Sequence, residues 1–174
     1  FINCSSKCYT VVCSSGSNLK VTNTDFIDTN SVFEFNGKLR VDIPFVGVLL
    51  IEGDDAVLSN CRFINNIGFM VGAVEVAGNN CEIISSTFLN NNVEMPWGAT
   101  FYSLNKYDKN GIAHEVYCSY EDSAGAIRWS GDNGVLVNPT LENNGGNEVI
   151  LWTGQNGKII NSPFHLDVPD VTKN

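Results

Sequence analysis

The sequence is poor in charged residues, and positive charge is the scarcer sign. Only 17% of the 174 residues are Asp, Glu, Lys or Arg, and 10 Lys and Arg against 19 Asp and Glu give a net charge of −9. Binding to nucleic acid needs a basic patch that neutralises phosphate groups. The charge balance therefore argues against a nucleic-acid partner.

Long apolar segments and motifs for metal binding or catalysis are also missing. No apolar run approaches the roughly 18 residues that a membrane-spanning helix needs, so we expect no membrane span in this chain. The sequence contains no paired C-x-x-C, no H-x-x-x-H, no nucleophile elbow and no phosphate-binding glycine loop. We therefore expect no metal, no other cofactor and no catalytic residue, and we interpret the chain as not being an enzyme.

The cysteines form no recognisable site either. Cys61 and Cys81 fall at different places in the repeat described below, and we interpret them as small buried thiols. A disulfide among Cys4, Cys8 and Cys13 stays open as an alternative, because an extracellular setting would permit it.

Glycine and asparagine are abundant, and they recur in a fixed frame. In one copy Gly131 is followed by Asn133 after two residues, Leu136 after five, Asn138 after seven and Leu141 after ten. The same frame, ending on Phe and with some substitutions between, begins at four other glycines: Gly16, Gly53, Gly78 and Gly154. A self-similar unit of this kind indicates a solenoid or another repeat array.

Each unit consists of short strands separated by turns. Ile127 and Trp129 are the apolar residues of an alternating stretch before Gly131, which is typical of a strand with one buried face. The Gly-x-Asn element predicts a tight turn, because Gly and Asn tolerate positive φ. Phe63 and Phe88 are 25 residues apart, close to one coil of a parallel β-helix, in which stacked coils place like residues above like. We therefore predict an all-β parallel β-helix.

The frame also predicts which residues form the interior. One buried column comprises Phe26, Phe63, Phe88, Leu141 and Phe164. A second column comprises Val21, Leu58, Ile83, Leu136 and Ile159. A buried ladder, hydrogen-bonded between coils, is expected from Asn23, Asn60, Asn138 and Asn161, with Ser85 in register.

The chain is expected to be one domain, 1–174, of about six to seven coils. Two insertions are expected, near 29–46 and 103–122. Residues 98–102 reproduce the opening of a unit, so we expect a degenerate coil there, followed by a loop near 106–111.

The first residues, Phe1-Ile2-Asn3, match Phe63-Ile64-Asn65 in the middle of a unit. We therefore expect the chain to be a mature product or a segment of a longer repeat protein, and we favour the segment.

Aromatic residues cluster around the degenerate coil, and they are the candidate binding residues: Trp97, Phe101, Tyr102, Tyr107 and Tyr120. Aromatic side chains on an irregular segment beside a rigid scaffold are typical of binding sites. The outward positions of the first strand in each unit carry Leu50, Glu75, Phe101, Arg128 and Leu151. These outward side chains form a contact surface if they are exposed. The alternative is that the insertions cover them. Two further aromatic residues, Trp129 and Trp152, occupy matching places and are expected to stack in the core.

Two sequence elements resemble known repeat families. Gly-Ala-Ile or Gly-Ala-Val together with Phe-x-x-Asn (Phe63 to Asn66, Phe88 to Asn91) looks like the repeats of polymorphic outer-membrane proteins. The string GAIRWSGDNG, followed by LENN, is more similar to the adhesin-like β-helix proteins of methanogenic archaea. The resemblance implies a right-handed, single-stranded β-helix, secretion and display on the cell surface.

The favoured interpretation is a cell-surface adhesin-like β-solenoid whose rigid face binds a glycan or a protein of another cell. The main alternative is a structural subunit of a surface fibre or envelope layer, built by self-association of β-helix ends. A less favoured alternative is a polysaccharide lyase or hydrolase, which would gather carboxylates in a groove.

Overall fold

A computed structural model describes residues 1–5, 10–31, 47–94, 101–107 and 113–162. In this part of the chain the regular structure is almost entirely strand, and the only helical segment is one 3-10 turn at Tyr120–Asp122. The expectation of an all-β protein is therefore confirmed.

In the described part of the chain, five successive repeats contribute the named parallel strands. Repeat 1 contains β1 (Val12–Ser14), β2 (Lys20–Thr22), β3 (Asp25–Ile27) and β4 (Asn30–Ser31). Repeat 2 contains β5 (Leu49–Ile51), β6 (Val57–Ser59), β7 (Arg62–Ile64) and β8 (Ile67–Gly68). Repeat 3 contains β9 (Val74–Val76), β10 (Glu82–Ile84), β11 (Thr87–Leu89) and β12 (Asn92–Val93).

The remaining strands follow an insertion. It holds β13 (Phe101–Tyr107) and β14 (Ala113–Ser119). Repeat 4 contains β15 (Ala124–Trp129), β16 (Val135–Val137) and β17 (Thr140–Glu142). Repeat 5 contains β18 (Glu148–Trp152) and β19 (Lys158–Ile160).

The strands of successive repeats lie side by side in four parallel sheets. The first sheet has the order β1-β5-β9-β15-β18, and the second has β2-β6-β10-β16-β19. The third has β3-β7-β11-β17, and the fourth has β4-β8-β12. Repeats 1 to 3 each add one strand to every sheet, repeat 4 adds a strand to the first three sheets, and repeat 5 adds a strand to the first two. Equivalent residues of the frame therefore become neighbours.

The interior columns follow from this register. Phe26 pairs with Phe63, Phe63 with Phe88, and Phe88 with Leu141. The three aromatic rings are stacked, with centroids 4.7 and 5.0 Å apart and interplanar angles of 2°. Phe1 extends the column, because its ring lies 4.9 Å from that of Phe26. Phe164, the fifth member of the expected column, lies outside the described residues.

The second column, from Val21 to Ile159, is also in register. Val21 pairs with Leu58, Leu58 with Ile83, Ile83 with Leu136, and Leu136 with Ile159. Both columns contribute to one continuous hydrophobic core, in which large side chains from successive repeats lie directly above one another.

The expected degenerate coil is not part of the stack of parallel strands. β11 pairs directly with β17, and the described residues between β12 and β15 contribute no strand to the four parallel sheets. Within that segment β13 pairs antiparallel with β14, and β13 continues through Tyr107 where a loop was expected. Two strands that are close in sequence can pair through a short connection, and this local pairing replaces a coil.

The first insertion begins later than expected. β4 (Asn30–Ser31) belongs to repeat 1 and pairs with β8, and the described chain resumes at Gly47. The extra residues therefore lie between 31 and 47, outside the described residues. That the whole chain forms one domain stays a prediction.

The frame glycines have a different role from the expected one. Positive φ occurs at the Asn or Asp two residues after the glycine, such as Asn80 (55°) and Asn133 (57°), and not at Gly78 or Gly131. A Cβ atom on Gly131 would collide with the carbonyl oxygen of Gly78 in the previous repeat. Glycine is therefore required here by the close approach of stacked backbones.

The expected buried ladder is wrong in its position. The five residues concerned are exposed and have φ between 48° and 53°: Asn23, Asn60, Ser85, Asn138 and Asn161. They form the corner between the second and third sheets, where left-handed backbone favours Asn. Because the left-handed residue turns its side chain out of the corner, these amides are not in the core.

The buried ladder instead uses the asparagine three residues after Phe63, Phe88 and Leu141, which are the column residues of repeats 2 to 4. Asn66 Nδ2 donates to Asn91 Oδ1 at 2.9 Å and to the Phe26 carbonyl at 2.9 Å. Asn91 Nδ2 donates in the same way to Asn144 Oδ1 and to the Phe63 carbonyl, both at 2.9 Å. The Phe-x-x-Asn element of the sequence contains Asn66 and Asn91, but they were not recognised as ladder residues.

Trp129 and Trp152 stack as expected, with ring centroids 4.4 Å apart and an interplanar angle of 8°. The indole of Trp129 is fully buried and occupies the space beside Gly134, where any Cβ atom would collide with it. Trp152 stands in the same relation to Gly157. Repeats with a smaller aliphatic residue at the Trp position carry a side chain at the glycine position: Ile51 with Ala56, and Val76 with Cys81. Large and small residues thus compensate in volume within each repeat.

This compensation predicts a strong coupling between Trp129 and Gly134. Gly134→Ala should lower the free energy of unfolding by about 1 to 3 kcal/mol, because the added methyl group overpacks the interior against the Trp129 indole. In a Trp129→Val background the same change should cost less than about 0.5 kcal/mol, because the methyl group fills space that the indole vacated. Urea unfolding of the two single variants and the double variant measures the coupling. Additive effects would contradict the compensation.

Candidate functional site

The candidate binding residues lie on and beside the antiparallel hairpin. Phe101 pairs with Ser119, Tyr102 with Cys118, and Tyr107 with Ala113. Phe101, Tyr102 and Tyr107 therefore all lie on β13, one strand of the hairpin. Trp97 lies outside the described residues.

Hydrogen bonds attach the base of the hairpin to repeat 5. Ser119 Oγ caps the 3-10 turn by accepting from Glu121 N at 3.2 Å, and Ser123 Oγ donates to the Tyr120 carbonyl at 2.6 Å. Asn147 Nδ2 donates to the Glu121 carbonyl, and Asn147 N donates to Ser123 Oγ, both at 3.1 Å. Tyr120 is 38% exposed at this anchored base. The last candidate aromatic is therefore held on a fixed part of the structure.

The outer positions of the first sheet are not an exposed contact surface. Leu50 and Glu75 are only 2% and 5% exposed. Leu151 is half-buried, and Arg128 retains 14% exposure of its side chain. Other parts of the chain therefore cover this strand face.

Beneath that cover, Glu75 and Arg128 form an ion pair between repeats 3 and 4. They are register partners, and Arg128 Nη1 lies 2.8 Å from Glu75 Oε1. Glu75 Oε2 has no hydrogen-bond partner. Burial raises the pKa of Glu75 to about 7, although the charge of Arg128 opposes the shift and that of Glu52 adds to it. Opposite charges at equivalent places in neighbouring repeats were the sequence signal for this pair.

The raised pKa predicts an unusual pH dependence of stability. Between about pH 4.5 and pH 7 the folded state binds a proton at Glu75 that the unfolded state releases, so this group's contribution to stability falls as pH rises. Glu75→Gln removes that dependence. The stability of the variant relative to the parent should rise by about 3 kcal/mol between pH 4 and pH 8, which chemical unfolding at both values measures. A difference that stays constant with pH would contradict the raised pKa.

The acidic residues beside the frame glycines have structural partners. Asp54 Oδ1 accepts from Asn79 N at 2.7 Å, and Asp132 Oδ1 accepts from Gln155 N at 2.8 Å. Asp55 Oδ1 accepts from Asn80 Nδ2 at 3.2 Å, at one end of an exposed amide ladder. These carboxylates therefore connect neighbouring repeats at the turn.

The buried cysteines also support turns. Cys61 Sγ donates to the Ser59 carbonyl, and Cys81 Sγ donates to the Asn79 carbonyl, each at 3.5 Å. Ser86 Oγ makes the same contact with the carbonyl two residues before it, at 3.1 Å. Burial raises the pKa of both thiols, so they stay protonated. Cys4 carries a free thiol. Cys8 lies outside the described residues, so a disulfide among the N-terminal cysteines is not decided and stays an alternative.

No protein-family model matches the chain, and no curated protein or solved structure matches it. Among the described residues no helix has the length and apolar character needed to cross a membrane. Over the same ranges, no group of three or more His, Cys, Asp and Glu residues is placed to hold a metal ion.

Proposed function

We propose that the chain is a right-handed, single-stranded parallel β-helix of the adhesin-like kind, displayed outside the cell as part of a longer surface protein. In this proposal the β13–β14 hairpin binds a glycan or a protein of another cell. The observation that carries the proposal is the direct pairing of Phe88 with Leu141 across the insertion. The hairpin adds no strand to the parallel sheets, so its sequence is free to serve binding while the stack supplies a rigid support.

The residue types of the hairpin suit this role. Phe101, Tyr102 and Tyr107 lie on one strand, and Tyr117 lies on the other. Aromatic rings supply a large contact area at low conformational cost, and tyrosine adds a hydroxyl that can hydrogen-bond to a polar ligand. The 3-10 turn and Asn147 anchor the hairpin base, which limits the ordering that binding would require. Location at the cell surface is carried over from the resemblance to adhesin-like repeats.

Binding of the purified chain to a glycan array and to intact cells tests this proposal. Tyr102→Ser combined with Tyr107→Ser should reduce binding at least tenfold without lowering the melting temperature, because neither residue belongs to the parallel stack. Ile160→Ser is the matched control, since Ile160 is 42% exposed on β19 and should leave binding unchanged. Equal binding by the hairpin variant would reject the hairpin as the site. A parent protein that binds nothing and forms filaments in electron micrographs would favour the structural alternative.

A further inference from the structure

In the described ranges, three asparagines directly precede a glycine: Asn133–Gly134, Asn144–Gly145 and Asn156–Gly157. Two of these pairs exist because the indoles of Trp129 and Trp152 leave no room for a Cβ atom at Gly134 and Gly157. Corresponding places in other repeats carry Ala56 or Cys81, and no Asn–Gly pair results. In the two repeats that contain Trp, packing therefore requires glycine, and the resulting Asn–Gly sequence is chemically labile.

We propose that Asn156 is a site of spontaneous deamidation, and that it reacts faster than Asn133 or Asn144 in the folded protein. The backbone nitrogen of Gly157 attacks Cγ of Asn156, a C–N bond forms, and the side-chain amide leaves as ammonia with the proton released from the Gly157 nitrogen. Water then opens the cyclic imide to aspartate or isoaspartate. Solvent is the only co-reactant, and glycine favours the attack because it has no side chain to shield its nitrogen.

The side-chain hydrogen bonds of the three asparagines predict the order of their reactivity. Asn156 makes one, from its Nδ2 to Asn133 Oδ1 at 3.1 Å. Asn133 accepts that bond and donates a second to Asn80 Oδ1, also at 3.1 Å. Asn144 is half-buried and makes three, accepting from Asn91 N and Nδ2 and donating to the Phe88 carbonyl at 3.0 Å. Each bond must break before Cγ can meet the next nitrogen.

The position of repeat 5 in the sheets also favours faster deamidation at Asn156. Among the described residues, β18 and β19 each pair with one neighbouring strand, whereas β15 and β16 each pair with two. Asn156 has φ of 57°, and it must leave this left-handed conformation to form the imide. Strands with one neighbour open locally more readily than strands with two, so the required conformation is populated more often at Asn156.

Deamidation of Asn156 would weaken the connection between repeats 4 and 5. Asn156 Nδ2 is the donor to Asn133 Oδ1, and the product carboxylate has no hydrogen to donate. Two acceptor oxygens would then face each other. Isoaspartate would in addition lengthen the backbone beside Gly157, next to the Trp152 ring.

Peptide mapping of the folded chain during incubation at mildly alkaline pH tests the proposal. Conversion at Asn156 should exceed conversion at Asn144 by about tenfold, with Asn133 between them, because local opening controls the rate. In concentrated denaturant the three rates should become similar. Equal rates in the folded protein, fastest reaction at Asn144, or the same order in denaturant would each overturn the proposal.

A variant with Trp152→Val and Gly157→Ala tests whether Gly157 is the attacking residue while repeat 5 keeps its packing. This variant reproduces the small-residue pairing of repeats 2 and 3, so the repeat is expected to stay folded. Conversion at Asn156 should fall to the background of other Asn–Ala sequences, while conversion at Asn133 is unchanged. Continued reaction at Asn156 in this variant would show that Gly157 is not the attacking residue and would reject the mechanism.

Discussion

Replacing Asn91 with leucine should lower the free energy of unfolding by about 3 to 6 kcal/mol, because several buried polar groups lose their partners together. Asn91 is fully buried, and its side chain connects three repeats. Its Oδ1 accepts from Asn66 N and Nδ2, and its Nδ2 donates to the Phe63 carbonyl and to Asn144 Oδ1. Leucine has a similar volume and can replace none of these bonds. Urea unfolding at neutral pH measures the loss.

Asn60→Leu is the matched control, since the same substitution is made in repeat 2 at the exposed corner. Its expected cost is about 1 kcal/mol, which reflects placing leucine in the left-handed region at φ of 52°. Asn60→Gly should be close to neutral for the same reason. Equal costs for Asn91→Leu and Asn60→Leu would show that the buried amides do not form the ladder that stabilises the stack.

Phe63→Ala should cost about 3 to 5 kcal/mol, the range of large truncations in a close-packed core. Phe63 is fully buried between the rings of Phe26 and Phe88, at 4.7 and 5.0 Å. Because successive repeats lie directly above one another, neighbouring rings cannot fill the cavity without shifting both sheets. Thermal and urea unfolding with the same two-state treatment measure the change.

Phe63→Leu provides the control for size, because Leu141 naturally occupies the equivalent place in repeat 4. It should cost about 1 kcal/mol, far less than alanine, since leucine fills most of the ring's volume. A cost below about 1 kcal/mol for Phe63→Ala would mean that the residue lies outside the core.

The repeating frame accounts for what could be predicted. In parallel strands one repeat apart, residues at the same place in the frame pair directly, so Phe63 and Phe88 had to be neighbours once repeats stack. The same reasoning predicted the Trp129–Trp152 stack. It did not distinguish the outward corner amide at Asn60 from the inward amide at Asn66, because both recur with the same period and only backbone conformation separates them.

The insertion was harder to interpret because its opening resembles a repeat. Residues 98–102 fit the frame, yet β13 pairs with β14 and β11 pairs with β17. A local antiparallel pairing closes a short loop, whereas another parallel coil requires contacts with strands far along the chain. Phe101, Tyr102 and Tyr107 were therefore assigned to a coil where the structure has a hairpin.

By itself the sequence determined the all-β class, the in-register stacking of like residues and the identity of the aromatic columns. These features follow from the repeat period of the sequence. Only the tertiary structure decided which amides lie inside, which repeats are neighbours across the insertion, and that Leu50 and Glu75 are covered. The physical reason is that burial and the pKa of Glu75 depend on groups brought together from distant parts of the chain, on which a local period carries no information.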